Sequence, residues 1–181
     1  MFNVYIPKKR DTNEVWKKIK DFPDYDVSNF GNIANNKTDV ILEKSLTKQG
    51  GVKVGLVKNG KQYTRSVKVL VANTFVKGKT DLFNTPILLN GDQLDCCADN
   101  IMWRPRWHAW HYSYQFNNIK DFYRIGPLLE MNDDGIIICA YRDTIEAGIV
   151  NGILFSDIWK SVYSRKKVFP TGQIFTMMQN V

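Results

Sequence analysis

Val52-Lys53-Val54-Gly55-Leu56-Val57-Lys58-Asn59-Gly60-Lys61-Gln62-Tyr63-Thr64-Arg65-Ser66-Val67 carries the clearest structural signal in the chain. Val52, Val54 and Leu56 alternate with Lys53, Gly55 and Val57, which puts one set of apolar side chains on one face of a strand. Asn59-Gly60 supplies the residue pair that tolerates positive φ at both corners of a two-residue turn, and Gln62 to Val67 returns. A half-buried hairpin of this kind predicts a small antiparallel sheet spanning Glu14 to about Val76. Lys58 and Lys61 stand at the hairpin turn, either as solvated groups or as contacts along a phosphate backbone.

Downstream, Lys68 to Phe75 spaces Val69, Leu70, Ala72 and Phe75 as a short helix would. Lys77 to Trp103 contains Pro86, Gly91 and a polar run from Asn90 to Asn100, and reads as a loop-rich hairpin. Arg104 to about Tyr123 lacks glycine and carries seven aromatic residues, which predicts a helix with Pro105 in its first turn and Arg104, Arg106, His108 and His111 toward its start. After Gly126-Pro127, Leu128 to Met131 and Ile136 to Tyr141 flank the turn signal Asn132-Asp133-Asp134-Gly135. Asp143 and Glu146 open a helix that ends at Asn151-Gly152. Ser156 is expected to cap a second helix, bearing Asp157, Ile158, Trp159, Lys160 and Val162, before the basic run Arg165-Lys166-Lys167. That order suits a helix-turn-helix reader, although many helical hairpins bind nothing.

Composition narrows the function classes. At 181 residues the chain has room for one domain or for two or three modules, and 44% apolar with 24% charged residues describes a folded protein. It contains no apolar run of the ~18 residues a membrane span needs, and MFNVYIPKKR lacks the order of a secretion signal, so a cytoplasmic location is expected. Cys96, Cys97 and Cys139 are odd in number and read as free thiols. A net charge of +7 and a pI near 9.3 favour a polyanionic partner.

Two motifs then carry a family resemblance. Glu14-Val15-Trp16-Lys17 followed by Tyr25-Asp26-Val27-Ser28-Asn29-Phe30-Gly31-Asn32-Ile33, with Lys58-Asn59-Gly60 and Leu70-Val71-Ala72-Asn73-Thr74-Phe75 behind them, resembles the nuclease-associated amino-terminal module of modular HNH homing endonucleases. The segment from Leu128 through Asp143-Thr144-Ile145-Glu146-Ala147 to Gly172-Gln173-Ile174-Phe175 resembles their carboxy-terminal repeat with its helix-turn-helix. The resemblance implies an α+β protein of three modules. These are a small antiparallel sheet over 1–76, an HNH core of ββα-metal type over 77–124, and a β-hairpin with helix-turn-helix over 125–181. It also implies double-stranded DNA as partner, bound by a monomer on an asymmetric site, with sheet and recognition helix in the major groove. Ser156, Asp157 and Lys160 would then read bases, and Lys53, Lys58, Arg65, Arg104, Arg106, Arg165, Lys166 and Lys167 would hold phosphates, with His108 and His111 in phosphate contact or capping the aromatic helix.

Ile87 to Trp103 aligns with the family's HNH hairpin, where Gly91, Leu94, Asn100, Ile101 and Trp103 keep the scaffold. Ile87 and Leu88 stand where the family has its metal ligand and general base, and Ala109 where its last ligand is expected. Hydrocarbon side chains neither ligate a cation nor take a proton, so the sequence leads to the expectation of a non-catalytic, phage-encoded DNA-binding protein, a regulator or site blocker, with no cofactor. Two alternatives stay open. One is a metal-dependent nicking enzyme with a displaced site drawn from Asp92, Asp95, His108 and His111, to which Cys96 and Cys97 would contribute awkwardly. The other is an interaction module docking Ile87, Leu88 and Leu89 on a phage or host protein.

Overall fold

The computed structural model describes residues 3–4, 13–117 and 119–178; most of the amino-terminal stretch read above for a secretion signal lies outside them. The elements run β1 (Asn3–Val4), β2 (Trp16–Ile19), β3 (Phe22–Ser28), β4 (Ile33–Asn35), β5 (Val40–Ile41), β6 (Ser45–Leu46), β7 (Val52–Lys58) and β8 (Lys61–Ser66). Then come α1 (Val67–Phe75), β9 (Thr85–Leu88), β10 (Ile101–Arg104) and α2 (Arg106–Gln115). The chain continues with β11 (Leu128–Met131), β12 (Ile137–Tyr141), α3 (Thr144–Asn151), α4 (Phe155–Ser164) and β13 (Ile174–Met177). This is the α+β class expected. No helix among the described residues is long and apolar enough to cross a membrane.

Contacts divide the chain into two compact units, residues 10–109 and residues 110–181 with 1–9. In the first, an antiparallel sheet ordered β2-β3-β4-β5 accompanies a second ordered β6-β7-β8 and the β9-β10 hairpin. The decisive hairpin forms as expected: Lys58 pairs with Lys61 across Asn59 and Gly60, whose φ values are 52° and 72°. Its apolar set, Val54 and Leu56, is buried with Val27, Ile33, Val67, Leu70, Val71 and Leu88, each aliphatic side chain contributing about 1.5–3 kcal/mol by leaving water. The helix face differs from expectation. α1 buries Val67, Leu70, Val71 and Ala72, while Val69 points outward.

The Ser28-Asn29-Phe30-Gly31 motif acquires a physical reason. The Ser28 hydroxyl, fully buried, accepts from the N–H groups of Phe30 and Asn32 at 3.2 and 3.0 Å. The Asn29 side chain accepts from Val15 N–H and donates to Asn13 O, tying the entry of β2 to the turn after β3. Gly31 has φ +82°, and a Cβ there would sit 3.1 Å from Cys96 Cβ, so both conformation and space demand glycine.

The second unit holds a sheet ordered β1-β12-β11-β13, with β1 parallel to β12 and the other pairs antiparallel. α3 starts as predicted: the Asp143 carboxylate accepts from Glu146 N–H at 2.8 Å, and Glu146 accepts in return from Arg142 N–H. It ends at Gly152 in the left-handed region, φ 59°. At Gly148 a Cβ would lie 2.5 Å from Phe155, so the glycine is what lets α3 approach α4 this closely. Within this unit Tyr141, buried, donates to the buried Glu130 carboxylate and accepts from Asn151. Burial and the Glu130 bond push the Tyr141 hydroxyl well above its ordinary range.

Two helix boundaries correct the sequence reading. The aromatic helix expected over 104–123 stops at Gln115, where Asn117 N–H turns back to Tyr114 O, and only a single 3-10 turn follows at Asp121–Tyr123. No Gly or Pro marks that end, so local signals were silent. Pro105 precedes the helix, its carbonyl accepting from Ala109 N–H. Ser156 does not cap α4: the helix begins at Phe155, whose N–H is accepted by the Gln115 side chain at 2.9 Å, a tertiary partner in place of a local one.

Candidate nucleic-acid interface

The β9-β10 hairpin pairs Leu88 with Ile101 and Thr85 with Arg104 and leads through Pro105 into the start of α2, the ββα order expected of an HNH core. Its connecting loop is knitted by amides. Buried Asn100 donates to Asn90 Oδ1 and Asp95 O at 2.8 Å and accepts from Asn90 N–H at 3.0 Å, while Asn90 Nδ2 reaches Asp95 Oδ2 at 2.8 Å. Asn100 is thus a scaffold residue because its amide alone satisfies three backbone and side-chain partners at once. Trp103 is buried and its indole N–H donates to Val76 O.

The chemical positions are different in kind. Ile87 is 1% exposed, Leu88 3% and Ala109 7%. The family's reaction implies a divalent cation, which needs hard oxygen or imidazole donors; these three side chains offer none and are buried, so they do not fit one. Their burial also corrects the docking alternative, since Ile87 and Leu88 are core and not an exposed patch. The proposed displaced set is spread out in role: the Asp92 carboxylate accepts from Leu94 N–H, and the Asp95 carboxylate from Asn90 and Cys97. His108 is fully buried and His111 exposed, and among the described residues no three His, Cys, Asp or Glu groups gather as a metal site.

The basic residues sort by exposure. Lys58, Arg65, Arg106, Lys160, Arg165, Lys166 and Lys167 are exposed, and Lys53 half-buried. Lys58 and Arg65 lie over the Phe22 ring at 5.8 and 5.3 Å, which holds their charges at one edge of the hairpin. Arg104 and His108 are corrections: both are buried, and the Arg104 guanidinium lies over Phe83 and donates to Trp103 O instead of facing outward. In the second unit Asp157 pairs with Lys160 at 3.3 Å and Lys167 with Asp133 at 2.6 Å.

One basic surface was missed. Lys17, Lys18, Lys20 and Lys79 wall a cleft of about 590 Å³ together with Asp21 and Asn73. Lys79 is held by Asn73 Oδ1 at 2.8 Å and lies over Trp103, and Lys17 lies over Phe75. The Lys17-Lys18-Ile19-Lys20 run was the available signal, passed over because its register with Lys79 is visible only once the chain folds. Near Leu88, a smaller cleft of about 180 Å³ is lined by Thr47, Ser66, Lys68 and Gln93. Burial lowers the affinity of the Lys68 amine for its proton, and burial raises the Cys96 thiol beside it.

Comparison with known proteins follows this geometry. Residues 14–57 match the NUMOD4 motif. Two curated relatives are uncharacterized HNH endonucleases of Acanthamoeba polyphaga mimivirus. One is 42% identical over 96 residues, 50% of this chain and 24% of the relative; the other is 28% identical over 152 residues, 84% of this chain and 45% of the relative. The chain therefore spans under half the length of either. Among solved structures, one described as DNA binding and cleavage by the HNH homing endonuclease I-HmuI matches with a TM-score of 0.51 at 23% identity, covering 92% of this chain and 99% of that one, a likeness of fold. These relationships overturn the expectation that the chain is not an enzyme: the relatives are named HNH endonucleases, and the fold is like that of an HNH homing endonuclease. In its amino-terminal module, its relatives and its fold, the chain is similar to HNH endonucleases.

Proposed function

We propose that the chain acts on double-stranded DNA as a member of this endonuclease family, binding as a monomer to an asymmetric site through three functional modules, 1–76, 77–124 and 125–181. The observation that carries the reading is the lysine-walled cleft at Lys17, Lys18, Lys20 and Lys79, which with exposed Lys58 and Arg65 makes a surface suited to a phosphate backbone. Lys160, Arg165 and Lys166 supply the corresponding contacts around α4, and the α3-α4 pair serves as the helix-turn-helix. The two viral relatives support a viral origin.

Strand scission is the activity that the family relationship proposes, with its donors outside positions 87, 88 and 109. The test is a labelled genomic duplex titrated at several salt concentrations, with scission read on the same samples. Binding that weakens with salt by about 0.9 log unit per contacted phosphate for each decade is expected. Scission should persist in Leu88→Met, a volume-conserving change. Salt-independent binding, or scission lost in Leu88→Met while the fold is kept, would refute the reading.

A further inference from the structure

Within the second unit, a cleft of about 380 Å³ opens between the end of α2 and the start of α4, lined by His111, Tyr114, Gln115, Lys120, Tyr123 and Ser156 among others. Its chemistry is unlike that of the lysine cleft. Tyr114 is 64% exposed, and its ring stacks on Trp110 at 5.7 Å with an interplanar angle of 7°. That stack fixes the orientation of a large aromatic surface which buries little of itself.

Gln115 adds a directional donor. Its Oε1 accepts from Phe155 N–H, which identifies the other end of the amide as Nε2. Nε2 has almost no exposed surface and finds no hydrogen-bond partner among the described residues, a cost that folding leaves standing and that an acceptor entering the cleft beside Gln115 would relieve. Lys120, exposed, contributes a cation, lying over the Phe122 ring at 5.6 Å. An apolar ligand has no use for the amide or the ammonium. A bare phosphate has no use for the rings. A planar heterocycle with a ring carbonyl and an attached phosphate uses all three.

We propose that this cleft holds an unpaired nucleobase of bound DNA: Tyr114 and Tyr123 take its face, Gln115 Nε2 donates to a ring carbonyl, and Lys120 holds the adjoining phosphate. The proposal rests on the DNA reading above and adds to it a preference for duplexes in which a base is already out of the stack. Unstacking and unpairing then cost little, and the base contacts appear as net affinity.

The full chain is titrated with a paired duplex, with the same duplex carrying one bulged thymine, and with thymidine 5′-monophosphate. The bulged duplex should bind about tenfold more tightly than the paired one. Tyr123→Ala should erase that preference. So should Gln115→Glu, which keeps an acceptor for Phe155 N–H but replaces the donor by a carboxylate. Neither change should alter paired-duplex binding. Equal affinity for the two duplexes, or a preference that survives both variants, overturns the proposal. Saturable binding of the monophosphate without a bulge preference overturns DNA as the source of the base. Loss of paired-duplex binding alone, with the bulged duplex still held, would count against the proposed function and not against this site.

Discussion

The two units solve the problem of meeting solvent in opposite ways. Residues 10–109 keep Val27, Ile33, Leu56, Val71 and Trp103 inside and present lysines outside, several lying over ring faces that hold them in place. From residue 110 onward Trp110, Tyr114, Phe122, Tyr163 and Phe169 are more than half exposed, and Lys160, Lys167, Arg142 and Arg124 stand within 4 Å of carboxylates. Cations attract any phosphate at long range and discriminate little, whereas exposed rings act only at contact and discriminate by shape. The comparison teaches that charge alone would locate only one of the two candidate surfaces.

The largest test breaks the first unit at its replaced chemical positions. Ile87→Asp places a carboxylate at a site 1% exposed and should cost about 4 kcal/mol by urea unfolding, undiminished by Mn²⁺; rescue by the metal would show that a cation site survives there. In the second unit, Tyr141→Phe strips buried Glu130 of its donor and should cost about 3 kcal/mol. The same pair gives this unit an alkaline limit. The Tyr141 pKa is raised in the folded state, so the stability it supplies is whole below the ordinary value of 10.0 and declines as pH rises past it; Tyr141→Phe should remove that decline from the unfolding profile.

Smaller effects sharpen the contrast. Lys18→Glu with Lys20→Glu should weaken duplex binding about tenfold and lower the salt slope by about 2, while leaving the bulge preference assigned to the second unit intact. Asp143→Ala should cost about 1 kcal/mol through its lost cap. Lys68→Met should shift the melting temperature least, and with a definite sign. Burial lowers the Lys68 pKa from 10.5, so the folded state pays for the charged amine near neutrality and the variant is the more stable there; its advantage should shrink as pH approaches 10.5.

Much of the fold was legible because its signals are local. Asn59-Gly60 admits both positive φ angles of its turn, Asp143 and Glu146 close a reciprocal cap within four residues, and Gly152 ends α3 in the left-handed region. The motif around Ser28 to Ile33 was recognizable as a signature, but its reason, one buried hydroxyl serving two N–H groups and a glycine against Cys96, appears only in three dimensions. The end of α2 and the start of α4 were misread for one cause: Gln115 caps a helix that begins 40 residues later, and no local window contains both.

For the candidate interface, residue order alone carried the family resemblance, the net charge and the identity of the side chains at 87, 88 and 109. It does not carry which residues face solvent. Arg104 and His108 read as cationic contacts and are buried; Lys17, Lys18 and Lys20 meet the distant Lys79 in one cleft that no sequence window contains. Exposure and convergence depend on which distant elements pack together, and only the tertiary structure sets that.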